Sequence, residues 1–133
     1  MGSKSDYLEG KILEHVLRNT AYSSPATVYV GLYTAAPNDA STGSSGGTEL
    51  SGNGYSRQSC AFGAASGGSI SNSGTVTFGP NTTSGWGTVT HFGIFDASTN
   101  GNLLYWGALT ASKTVAVGDS VSFGAGALVV TED

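Results

Sequence analysis

"TVYVGLYT", residues 27–34, alternates in period two: Val28, Val30 and Leu32 point one way, Tyr29, Gly31 and Tyr33 the other. Both sets are apolar or aromatic. That pattern describes a central strand covered on both sides, and a sheet with two covered faces requires further layers around it. Two other stretches share its layout, a ring two residues before a glycine with apolar residues after it: "HFGIF" at 91–95 and "YWGAL" at 105–109. Within each, His91, Gly93 and Phe95 share one face, as do Tyr105, Gly107 and Leu109. If the three strands are neighbours, their glycines form a shallow trough rimmed by rings. Gly within a strand marks close approach of a ring or another backbone. The occupant is then a core ring, the N-terminal helix or a neighbouring subunit. The packing or interface candidates are Tyr29, Gly31, Tyr33, His91, Gly93, Phe95, Tyr105 and Gly107.

The flanking sequence extends this picture. Before it, Tyr7, Leu8, Ile12, Leu13, Val16 and Leu17 recur at helical spacing. Asp6 is the expected cap, with Glu9 completing a capping box, and Asn19 the expected left-handed stop. This places one short helix at about 6–18, too short to stand alone, so its stripe is expected to pack on something. After it, residues 36–54 form a long Gly/Ser-rich loop with a short strand near Thr48–Leu50. A loop of that length is usually functional or ordered by a partner. Further strands are expected in "YSRQSCAF" (55–62), weakly in 63–74, and in "TVTF" (75–78). "WGTVTHFGIFD" and "NLLYWGALT" are expected to pair as a hairpin through Asn100-Gly101. "KTVAV" and "SVSF" are expected to form another around Gly118-Asp119. "ALVVT" (127–131) is a last strand. The fold class expected is mainly β, an antiparallel β-sandwich or jelly-roll-like fold over about 26–131, with one N-terminal helix and a single domain spanning 1–133.

Composition narrows the function. Of 133 residues only 11% are charged, and the net charge is −4, whereas an average soluble protein has about 25% charged residues. Such a surface suits a protein covered in an assembly. Arg57 is the only cation between Asn19 and Ser112, so nucleic acid is not an expected partner. No apolar run nears the roughly 18 residues of a membrane span. No secretory signal is expected, and the Asn81-Thr82-Thr83 acceptor pattern is accordingly discounted.

Catalytic and metal chemistry find little to build on. Cys60, the lone cysteine, reads as a small buried hydrophobe. "GSSGG" (43–47) matches G-x-S-x-G around Ser45, but it lies in a flexible loop and not on a strand-to-helix turn. His91 could serve as a base with Asp96 or Asp119 as its partner, but His91 and Asp96 have opposite strand parity and point to opposite faces. Two His, one Cys and scattered acids show no metal-ligand spacing. Asp39, Glu49, Asp96 and Asp119 read as turn residues, and Arg57 and Lys113 as solvated charges. No phosphate loop is present. The expectation is a protein that is not an enzyme and holds neither cofactor nor metal.

Several long strings together carry a resemblance: "SDYLEGKILEHVLRNTAYSSPATVYVGLYTAAPNDA", "GYSRQSCAFGAASGG", "WGTVTHFGIFDA", "GNLLYWGALTASKTVAVGDSVSF" and "GALVVT". In this order they resemble a family of short bacteriophage virion proteins commonly labelled phage tail fibre proteins. Residues 40–54 are the least distinctive part. The resemblance implies a structural virion protein with no catalytic residue to carry over. Its partners would be other virion proteins, the major capsid protein or tail proteins. Small phage sandwiches also serve as head decoration, often as trimers, and the chain lacks fibre-shaft repeats. The preferred expectation is therefore a homotrimeric capsid cement protein, with a tail-fibre or receptor-binding module as the alternative.

Overall fold

In the computed structural model, which describes residues 2–132, the elements run β1 (Gly2–Lys4), α1 (Asp6–Leu17), β2 (Val28–Ala35), β3 (Thr48–Glu49), β4 (Gln58–Cys60), β5 (Ser69–Ser71), β6 (Val76–Phe78), β7 (Gly87–Phe95), β8 (Leu103–Val115), β9 (Val121–Phe123) and β10 (Val129–Thr131). Positions 1 and 133 of the expected domain lie outside the described residues. The main sheet has the order β1-β8-β7-β2-β3, with β4 also on β2, and β10-β5 and β6-β9 form two small sheets. All pairings are antiparallel. The architecture is mainly β and sandwich-like.

Period-two patterning explains the layers. Val30, Leu32, Phe92 and Ile94 lie on one face of the main sheet. They pack with Val76, Phe78, Val121, Phe123, Leu128 and Val130 from the small sheets and their flanks, all buried. Full burial of each such aliphatic or aromatic side chain is worth about 1.5–3 kcal/mol. The opposite face buries Tyr33, Phe95 and Leu103, with Trp106 packed against them. The strand at 27–34 is thus central and covered on both sides.

Asn100 and Gly101 both take positive φ, 51° and 70°, in the β7–β8 turn, as the hairpin reading requires. The second expected hairpin does not form. Lys113, Thr114 and Val115 of "KTVAV" are the far end of a 13-residue β8 that stays on β7 through Gly87↔Val115. "SVSF" pairs instead with "TVTF", with Thr77 and Ser122 bonding across at 2.9 Å. The Gly118-Asp119 turn is real: Asp119 N–H donates to Ala116 O at 3.0 Å. It turns the chain between layers because Val121 and Phe123 gain burial by joining the small sheet.

The helix begins one residue earlier than its acidic signal. Ser5 is the N-cap; its Oγ accepts from Leu8 N–H at 3.2 Å and donates to Leu103 O at 2.5 Å. Pairing of β1 with β8 fixes Ser5 there, since Ser5 N–H also donates to Leu104 O at 2.9 Å. Asp6 and Glu9 fall in the first turn, where they complement the helix dipole. Asn19 has φ 53°, as a left-handed stop should. Only Leu8 of the stripe is buried, while Leu13, Val16 and Leu17 are 58%, 68% and 75% exposed.

Candidate functional site

The register decides which sequence candidates meet. Gly31 lies directly opposite Gly93, Tyr33 opposite His91 and Tyr29 opposite Phe95, so six of the eight candidates share one face. Tyr105 and Gly107 do not join them. Between the Ile94↔Tyr105 and Phe95↔Leu103 pairs the register shifts by one residue, with Leu104 extra on β8. A one-residue shift swaps every later side chain to the other face. Tyr105 therefore packs against the larger core, Gly107 lies opposite Phe92, and Trp106 takes the place opposite Gly93.

Rings of the same chain fill the space over the two paired glycines. A Cβ on Gly93 would lie 3.0 Å from Phe95 Cε1, Tyr33 Cε1 and Leu103 Cδ1. One on Gly31 would lie 2.9 Å from Phe95 Cε1 and the Tyr55 hydroxyl, and 2.7 Å from Glu49 Oε2. The Phe95 ring lies over both glycines, joined at Gly31 by Glu49 and Tyr55 and at Gly93 by Tyr33 and Leu103. Tyr33 and Phe95 stack with centroids 6.3 Å apart.

Over this face sits Arg57, with its side chain 4% exposed. Its Nε and Nη2 donate to Glu49 Oε2 and Oε1 at 2.8 and 2.9 Å. Nη1 donates to Ala97 O and Asn100 O at 3.0 and 2.9 Å, and Nη2 also to Gly43 O at 2.7 Å. The guanidinium carbon lies 3.5 Å from the centroid of the Phe95 ring. All five donors are used, and the bidentate fork is a geometry that lysine cannot reproduce. Tyr55 completes the knot: its hydroxyl donates to Glu49 Oε2 at 2.6 Å and accepts from Leu32 N–H at 3.1 Å. Burial first, then the Glu49 charge, pushes the hydroxyls of Tyr55 and Tyr33 far above their ordinary range. Arg57 and Glu49 are thus not the solvated charges that the sequence suggests. They pin the 36–54 loop and the 96–102 turn to one sheet face. The available signal was the isolation of one cation within a long uncharged region.

His91 stands at the border of this face. Its Nδ1 is 2.8 Å from Thr90 Oγ1 and its ring centroid 6.2 Å from that of Trp106. Trp106 Nε1 donates to Asp39 Oδ1 at 2.9 Å. Both rings line a groove of about 650 Å³, together with Ser3, Glu9, Asp39 and Thr131. At its edge Glu132 is held by Lys4 Nζ and the Tyr105 hydroxyl, both at 2.6 Å. Desolvation, the largest single influence, opposes ionisation of Glu132, but the two hydrogen bonds and the Lys4 charge together outweigh it and lower its pKa. Asp96 and Asp119 serve turns: Asp96 accepts from Asn102 N–H at 2.8 Å, and Asp119 from Ala116 N–H at 3.2 Å.

A second opening of about 680 Å³ lies between the main sheet and β5–β10. It is lined mostly by apolar side chains, among them Val28, Phe62, Ile70, Ile94, Leu104 and Val130. Cys60 borders it, and burial raises its thiol pKa, which disfavours the reactive thiolate. Among the described residues no group of three or more His, Cys, Asp or Glu is placed to hold a metal ion. Ser45 lies in a turn, with its Oγ 2.9 Å from Thr42 Oγ1 and no base bonded to it among the described residues. Among the described residues no helix is long and apolar enough to cross a membrane.

Comparison with known proteins finds a matching family. The model of a family described as "Podophage GP4 fiber I protein gp80" matches residues 3–131. No curated protein matches the chain.

Proposed function

Because the chain belongs to the podophage GP4 fiber I protein gp80 family, and so is a fibre-type component of the phage virion, we propose that it is a structural part of the tail fibre that also serves in attachment. The observation that carries this reading is the family match across residues 3–131. It favours the tail over the capsid-cement role preferred on sequence grounds, because the family's description is that of a fibre.

The geometry supports a structural role. Arg57 ties two loops to the sheet through hydrogen bonds to the carbonyls of Gly43, Ala97 and Asn100. Rigid loops on a packed scaffold are the usual place for recognition. The exposed apolar residues Leu13, Val16 and Leu17 on α1 suit contact with another virion protein or another copy of the chain.

Quantitative mass spectrometry of purified virions tests the proposal. A fibre part is present in a small number of copies fixed by tail symmetry. A copy number in the hundreds, matching the capsid lattice, would restore the cement reading.

A further inference from the structure

We infer that the groove holding His91 and Trp106 is a saccharide-binding site that takes one neutral pyranose unit. This rests on the attachment part of the fibre reading and names its ligand class. Two observations carry it. The first is the pair of rings: Trp106 and His91 lie 6.2 Å apart at 43°, half-buried, with the groove beside them. An indole held in this way offers an apolar face to the C–H side of a sugar ring. Its orientation is fixed from both sides, by the Asp39 hydrogen bond and by packing on Tyr33, Phe95 and Leu103.

The second observation is the set of unused polar atoms around those rings. Among the described residues, His91 Nε2, the second Asp39 oxygen, the Glu9 carboxylate and the hydroxyls of Ser3 and Thr131 make no hydrogen bond, and all these residues line the groove. They mix acceptors with groups that both donate and accept, which is what vicinal hydroxyls require. A cation fits less well. Glu132 is already neutralised by Lys4, and Asp39 is engaged by the indole N–H, so among the described carboxylates lining the groove Glu9 alone has both oxygens uncommitted. The amphipathic rings and the polar rim follow the general plan of small-ligand sites, an apolar floor with a few placed polar groups.

The test is a heteronuclear NMR titration of the full chain with methyl glucoside, methyl galactoside, methyl mannoside, rhamnose and N-acetylglucosamine, each at millimolar concentration, and with choline as a cationic probe. The expected result is saturable movement of the Trp106 indole N–H and the His91 ring signals with at least one sugar. Glu9→Gln, at an exposed position outside the core, should weaken that binding about fivefold, as loss of one charge-assisted hydrogen bond does, and leave the rest of the spectrum unchanged. Trp106→Phe keeps an aromatic filler on the core and should weaken it further. If no sugar moves these signals, or if choline alone does, the inference is wrong. Localising the chain in the virion tests the fibre reading separately, so a chain found in the fibre whose groove ignores sugars would refute only the saccharide site.

Discussion

Replacing Arg57 by Ala removes more than an ion pair. It deletes the two bonds to Glu49, three bonds to carbonyls of Gly43, Ala97 and Asn100, and the stack on Phe95. It also leaves the Glu49 carboxylate without its cationic partner. Breaking a buried pair by removing one partner costs about 3–5 kcal/mol. Glu49 is 21% exposed, so water meets part of its charge, and Tyr55 still donates to it. We therefore place the loss near the lower end, at about 3 kcal/mol. For a chain of this length that lowers Tm by about 10–15 °C. Arg57→Lys keeps the charge but not the fork and should cost about half as much, roughly 1.5 kcal/mol. The double variant Arg57→Met, Glu49→Met should be more stable than Arg57→Ala, because no unpaired charge remains. Urea denaturation and calorimetry at low and high NaCl provide the measurement. A loss for Arg57→Ala below about 1 kcal/mol, the value of an exposed pair, and sensitive to salt, would refute the clamp.

Gly93→Ala should cost about 1–3 kcal/mol by overpacking against Phe95, Tyr33 and Leu103. Gly31→Ala should cost more, because the new methyl also meets the Glu49–Tyr55 hydrogen bond; thermal unfolding ranks the two. Asn72 donates to Gly74 O and Gly124 O at 2.7 and 3.0 Å and accepts from Leu128 N–H at 2.9 Å, with its side chain buried. Asn72→Asp, equal in size but without donors against two carbonyls, should lose about 3 kcal/mol or fail to fold, as urea denaturation would show. The lowered pKa of Glu132 means that its contribution is present above the ordinary carboxylate value of 4.5 and is lost as pH falls through the lower folded value. Glu132→Gln should therefore flatten the fall in stability below pH 4.5, measured as unfolding free energy against pH.

Local patterns were legible wherever residues close in sequence carry the signal. The alternation in 27–34 reports a doubly covered strand, Asn100-Gly101 a turn, and Asn19 a helix stop. The misreadings all involve distant partners. Ser5 outcompetes Asp6 as cap because β8 lies beside it. "SVSF" leaves "KTVAV" because "TVTF" is available in the other layer. The extra residue at Leu104 moves Tyr105 and Gly107 to the far face and brings Trp106 beside His91, and no period in the sequence announces a bulge. Arg57 looked solvated because its five acceptors come from residues 43, 49, 97 and 100, which only the folded sheet gathers.

The most direct test of the fibre assignment is cryo-electron microscopy of the intact virion, with the sandwich fitted into density at tail and head. The account predicts that β7, β8 and the bulky Trp106 and Phe95 side chains fit density within a tail fibre. Fitting instead to the outer surface of the capsid lattice, with the fibres made of other chains, would contradict it.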